Sequence, residues 1–144
     1  SFEADISRIR ETAFIRAMRK MKLDLPQKSV RYADFFEEKA YQETKELLKE
    51  RPGIDAIFAA SDLMAIGVMR ALREMKRDIP GEIAVAGMDG IQVGAYMEPP
   101  LTTVFQDFKA MGYKAVTMVA DMHAGKEVPY IEYVDHRLLI RKSV

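Results

Sequence analysis

Two aspartates stand where apolar runs stop. The stretch "GIDAIFAASDLMAIGVMRAL", from Gly53 to Leu72, is interrupted at Ser61-Asp62, and "EIAVAGMDG" ends its own apolar run at Asp89, just before Gly90. An acid at the end of a buried strand has two ordinary uses: it caps the next helix, or it accepts hydrogen bonds from a ligand lying beyond the strand ends. Ser61-Asp62 precedes a helical pattern, and the cap reading fits Asp62, with a stabilisation of about 1 kcal/mol. Asp89 precedes no immediate amphipathic pattern, so a turn residue ahead of Gly90 and a ligand-facing acid both stay open. Arg10 falls at helical spacing from Ile6, Ala13, Phe14 and Ala17, on the stripe expected to be buried. A guanidinium there needs an acceptor or an opening. It either snorkels to water along its apolar stem or grips an oxygen-rich ligand at a cleft. Phe35, after "RYAD", is either a core aromatic or a stacking wall for such a ligand.

The elements that must position these groups alternate along the chain. Ile6, Ile9, Ala13, Phe14, Ala17, Met18 and Met21 recur at three- and four-residue spacing, which predicts a helix over Asp5–Met21 with one buried face. "SVRYADF" reads as a short strand. A second helix is expected over Glu37–Glu50, closed by Pro52-Gly53, followed by "IDAIFAA" as a strand. A third helix, Leu63 to about Lys76, turns Met64, Val68, Ala71, Leu72 and Met75 inward, and Pro80-Gly81 leads into the strand "EIAVAGMD". Near-continuous apolar strands separated by helices predict a doubly wound, Rossmann-like α/β fold with a parallel sheet covered on both faces. Beyond Pro99-Pro100 come a β-branched run, a helix with Phe108, Met111, Gly112, Ala115, Val119 and Met122 on one face, and the strand-like "IEYVDHRLLI". This tail is either a last βαβ unit of the same sheet or a crossing into another subdomain.

Composition narrows the function classes. The chain has 144 residues, 49% of them hydrophobic, which suffices for a buried core. No apolar run approaches the roughly 18 residues of a membrane span. Lys plus Arg and Asp plus Glu both number 22, so no net positive field favours a polyanion, and the chain alone is not expected to bind nucleic acid. The absence of cysteine excludes disulfides and thiolate metal sites. The chain opens with Ser1, without a signal-peptide pattern. No G-x-G-x-x-G follows a strand, there is no P-loop, and His123 and His136 fall in helix-end and strand contexts. Paired strand-end aspartates would suit Mg²⁺, but no lysine or threonine partners stand out beside them. An enzyme, a cofactor and a metal site are therefore not expected.

The same residues carry a family resemblance. "AIFAASDLMAIGVMRALREM", "IPGEIAVAGMDG", "PPLTTVFQDFKAMGYKAV" and the terminal "HRLLIRKSV" resemble, in order and spacing, the effector-binding part of the LacI/GalR transcriptional regulators. "RIRETAFIRAM" and "ADF" are similar to two upstream segments. The resemblance implies a type I periplasmic-binding-protein-like fold of two subdomains with a sugar or similar effector between them. Residues 1–101 would be the C-terminal subdomain, and 102–144 the hinge crossing and the segment returning to the N-terminal subdomain. Family ligand contacts fall on Arg10, Phe35, Ser61, Asp89 and Gln106, while Asp62 keeps its capping role. Vicinal sugar hydroxyls suit charged partners such as arginine and aspartate, with an aromatic on the apolar sugar face. Ala13 and Ala33 stand where the family usually has glycine, Met88 replaces a common aromatic, and Gly90 replaces a common polar residue. The resemblance also implies a cytoplasmic homodimer, truncated at its front, that reaches operator DNA only through a head absent from this chain. The alternative of the same fold is a secreted periplasmic-type sugar-binding protein.

Overall fold

The computed structural model describes residues 2–23 and 25–144. Helices α1 (Phe2–Lys20), α2 (Glu37–Glu50), α3 (Asp62–Glu74) and α4 (Phe108–His123) alternate with strands β1 (Ala56–Phe58), β2 (Ala84–Asp89), β3 (Thr102–Gln106) and β4 (His136–Leu139). The strands form one sheet in the order β1-β2-β3-β4. The expected parallel arrangement holds for β1, β2 and β3, whereas β4 runs antiparallel to β3. The class is α/β, but the tail is not a further parallel βαβ unit: its strand joins the same sheet in the opposite direction.

The core follows from the apolar stripes of α2 and α3. Ala40 and Leu48 meet Ala65, Val68, Met69 and Leu72, and beneath them lie Ile83, Val85 and Leu101. The two helices approach at backbone distance because Gly67 carries no side chain; a Cβ there would overlap the Glu37 carbonyl. Arg70 reaches across the outside of this pair to Glu37 at 2.9 Å and lies over the Tyr41 ring, 4.0 Å from its centroid. The C-terminal residues then close one end of the sheet. Ser143 is fully buried; its hydroxyl donates to the Val85 carbonyl at 2.6 Å and accepts from the Thr102 amide at 2.8 Å. A single side chain thereby ties β2 to the start of β3.

Two expectations are corrected. "SVRYADF" is not a strand: a 3-10 turn at Gln27–Ser29 is followed by unpaired backbone and a tight turn in which Asp34 and Phe35 have φ of 47° and 60°. Its backbone hydrogen bonds are local, from Val30 to Gln27 and from Phe36 to Ala33. Strand geometry needs a partner edge, and a hollow of about 1390 Å³ lies between α1, this segment, α2 and β1. On α1 the buried stripe is displaced: Ile6, Arg10, Phe14, Ile15 and Met18 are half-buried, while Ile9, Ala13, Ala17 and Met21 are exposed. Phe14 stacks on Phe58 with centroids 5.1 Å apart, and that contact sets the helix's rotation. The helix α4, whose apolar residues were expected on one face, has no buried residue. Met111 and Met118 are half-buried, but Phe108, Val116, Val119 and Met122 are exposed. No helix among the described residues is long and apolar enough to cross a membrane.

Candidate functional site

Asp89 ends β2 at the carboxyl edge of the parallel strands, where α/β sheets hold their ligands. Its φ is 117°, a conformation L-residues rarely adopt, and Gly90 follows at φ 76°. Gly90 must be glycine on space as well as on angle, since a Cβ there would lie 2.7 Å from the Phe105 Cα on the neighbouring strand. This double turn sends the Asp89 carboxyl group back over the strand ends. Arg10 Nη2 donates to its Oδ1 at 3.1 Å, and Gln106 Nε2, from the end of β3, donates to the same oxygen at 2.8 Å. Oδ2 accepts nothing among the described residues, which leaves an anionic acceptor at an accessible edge.

Arg10 resolves its sequence ambiguity in favour of an acceptor. Beyond Asp89, its Nη1 donates to the carbonyl of Ala60, and its guanidinium carbon lies 5.9 Å from the centre of the Phe35 ring. Arg10, Phe35, Asp89 and Gln106, drawn from four separate segments, thus converge on one small region. Burial raises the Asp89 carboxyl above its ordinary pKa, with the neighbouring Asp62 adding to the rise; the Arg10 charge and the hydrogen bonds from Arg10 and Gln106 pull the other way. An acid kept partly desolvated despite its cation fits a group that exchanges water for ligand hydroxyls.

Ser61 and Asp62 play roles other than those expected of the pair. Ser61 is the residue that caps α3, its hydroxyl accepting from the Met64 amide at 3.2 Å, and it is itself buried next to the Ala60 carbonyl that Arg10 holds. Asp62 is no cap. It is the first residue of the helix, 0% exposed, with Oδ1 accepting from the Thr103 hydroxyl at 2.6 Å and Oδ2 from the Ile91 amide at 2.8 Å. Ser61→Ala is expected to cost about 1 kcal/mol of stability in a urea titration, the value of a lost N-cap. A loss near zero would remove Ser61 from that role.

Thr103 and Gly87 were missed in the sequence. The available signal was "TT" after "PPL": a polar β-branched pair entering a buried strand needs internal partners. The large hollow touches Phe35 and Ala60 but not Arg10, Asp89 or Gln106, so the groups able to grip a polar ligand lie at its margin. Among the described residues no cluster of His, Cys, Asp or Glu could hold a metal ion.

Comparison with known proteins places this geometry in a family. The family described as periplasmic binding protein-like domain matches residues 1–144. The chain belongs to it. This periplasmic binding protein-like chain is 36% identical to the HTH-type transcriptional regulator CelR of Thermobifida fusca over 115 residues, 79% of its own length and 34% of the relative's. It is 35% identical to the lactose operon repressor of Klebsiella pneumoniae, covering 84% of itself and again 34% of the relative. The chain therefore spans about a third of the curated relatives it matches. Among solved structures, a CelR–cellobiose complex superposes with a TM-score of 0.82 at 32% identity, covering 90% of this chain and 40% of that one. A lac repressor dimer bound to operator and the anti-inducer ONPF superposes with a TM-score of 0.87 at 26% identity, covering 96% and 48%. The periplasmic binding protein-like fold expected from the sequence is thus the observed one, and these relatives are transcriptional regulators of the LacI type.

Proposed function

We propose that this chain is the effector-sensing part of a LacI/GalR-type transcriptional regulator and that its effector is a sugar, of disaccharide size as in the cellobiose complex. The observation that carries this reading is the convergence of Arg10 and Gln106 on one oxygen of Asp89, with the other oxygen left without a donor among the described residues and the Phe35 ring beside the Arg10 guanidinium. Two donors and an anionic acceptor suit adjacent sugar hydroxyls, and the aromatic suits the apolar face of the ring. Arg10, Phe35, Asp89 and Gln106 would touch the effector, with Ser61, next to the Ala60 carbonyl that Arg10 holds, as the fifth member of the set. The relatives favour a regulator over a secreted binding protein or an enzyme, and operator binding implies a cytoplasmic protein.

In the intact regulator, residues 1–101 would form one wall of the cleft, and 102–144 would cross the hinge to the other subdomain. The exposed apolar residues of α4 suit packing against that second subdomain. Effector binding would favour one closure of the subdomains, shifting the population that engages operator through a separate DNA-binding head. Exposed apolar residues such as Phe36, Leu63, Val93 and Tyr96 offer surface that a homodimer could cover. Calorimetric titration of the full-length regulator with cellobiose, lactose and a panel of related sugars tests the reading. Saturable binding of at least one sugar is expected; the absence of heat across the panel would refute the sugar assignment.

A further inference from the structure

Beneath the open face of the site lies a second layer of polar contacts that touches neither Arg10 nor Gln106. Gly87 pairs with Thr103 across β2 and β3. Because Gly87 has no side chain, the carboxyl group of Asp62 lies against the strand there; a Cβ at Gly87 would overlap its Oδ1. From that place one carboxyl group serves two elements, Thr103 on β3 and the amide of Ile91 just past the double turn. The Thr103 hydroxyl, while donating to Asp62, accepts from the Gly90 amide at 3.3 Å. Both amides that follow Asp89 are therefore held from below, and Asp62 and Thr103 are themselves fully buried. A residue at a φ of 117° relaxes unless its surroundings fix it. Here the fixing bonds fall on the next two residues.

We infer that Asp62 and Thr103 are positioning residues: they hold the strained Asp89-Gly90-Ile91 turn so that the Asp89 carboxyl group faces Arg10, Gln106 and the effector. The inference rests on Asp89 being an effector contact, but its central claim concerns the turn and is testable without ligand. Thr103 also lies on the first strand of the tail, so the brace joins the effector-facing turn to the segment proposed to cross the hinge.

The test uses Thr103→Val, which keeps shape and removes the hydroxyl, and Thr103→Ser, which keeps the hydroxyl. Amide hydrogen exchange at Gly90 and the titration of the Asp89 carboxyl group are followed by NMR, with cellobiose as the ligand probe. In Thr103→Val, exchange at Gly90 should accelerate roughly tenfold or more. The Asp89 titration should fall toward the ordinary carboxylate range as the side chain moves into water, away from the burial that raises it. Thr103→Ser should preserve both. Should Thr103→Val not fold, Asp62→Asn serves instead, since the amide keeps one acceptor and loses the other; there faster exchange at Gly90 and Ile91 is the readout, because losing the Asp62 charge lowers the Asp89 titration by itself. Wild-type exchange and titration in a folded Thr103→Val protein, or wild-type exchange in a folded Asp62→Asn protein, would overturn the inference, as would a Thr103→Ser protein that behaves like the valine variant. If wild-type protein ignores cellobiose, only that choice of sugar is at fault, and the brace is still judged on exchange and titration.

Discussion

Asp89→Ala in the full-length regulator is expected to weaken sugar binding by about 2–4 kcal/mol, because the effector's hydroxyls lose a charged acceptor while Arg10 and Gln106 lose the oxygen that orients them. Folding should suffer little. The side chain contributes no apolar packing to the core, and its charge is held in a partly desolvated place. Asp89→Asn separates the two effects by pH. A folded-state pKa above the unfolded one means that the native protein holds the proton more tightly, so ionisation of Asp89 lowers stability as pH rises from the ordinary carboxylate pKa of about 4 through the raised native value. The ligand-free asparagine variant should therefore melt no lower than wild type at neutral pH, and any advantage should vanish in acid. Thermal melts from acid to neutral pH, paired with calorimetric titration at neutral pH, check both halves. Wild-type affinity in Asp89→Ala would remove Asp89 from the effector site. A large fall in melting temperature would make it a structural acid instead.

What the sequence made legible depended on whether a residue's role was local. The limits of α2 were readable because Glu37 and Glu38 open the helix, Pro52-Gly53 follow it, and Ala40, Thr44, Leu47 and Leu48 repeat at helical spacing. Ser61 was readable as part of a cap because capping is decided within three residues. Asp62 was misread for the same reason: the local pattern offers a cap, whereas its partners Thr103 and Ile91 lie 41 and 29 residues away. On α1 the apolar spacing admitted two overlapping stripes, and the Phe14–Phe58 contact, distant in sequence, selected the one that carries Arg10 inward. "SVRYADF" has strand composition, but a strand is made by the edge it pairs with, and that edge is not engaged. The direction of β4 was equally out of reach, since antiparallel pairing to β3 is fixed by where α4 delivers the chain. The residues proposed to meet the effector came forward through anomaly: an arginine on an apolar stripe and an acid with no helix to cap.

The contrast between the two strand-end acids gives the other large expected effect. Asp62→Ala should destabilise the protein by about 3–5 kcal/mol, several times the roughly 1 kcal/mol of a lost helix cap. The Thr103 hydroxyl would lose its acceptor in a fully buried place, the Ile91 amide would lose its own, and the space beside Gly87 would be left as a cavity that the packed strands β2 and β3 cannot close. A buried donor left unpaired costs its full desolvation, about 1–3 kcal/mol each, and here two are orphaned at once. The first turn of α3 would also lose an acid where the helix dipole favours one. Urea titration of Asp62→Ala beside Ser61→Ala decides the matter, because the two residues are adjacent and only one of them caps. A loss for Asp62→Ala no larger than that for Ser61→Ala would mean that the bonds to Thr103 and Ile91 do not contribute as their geometry requires.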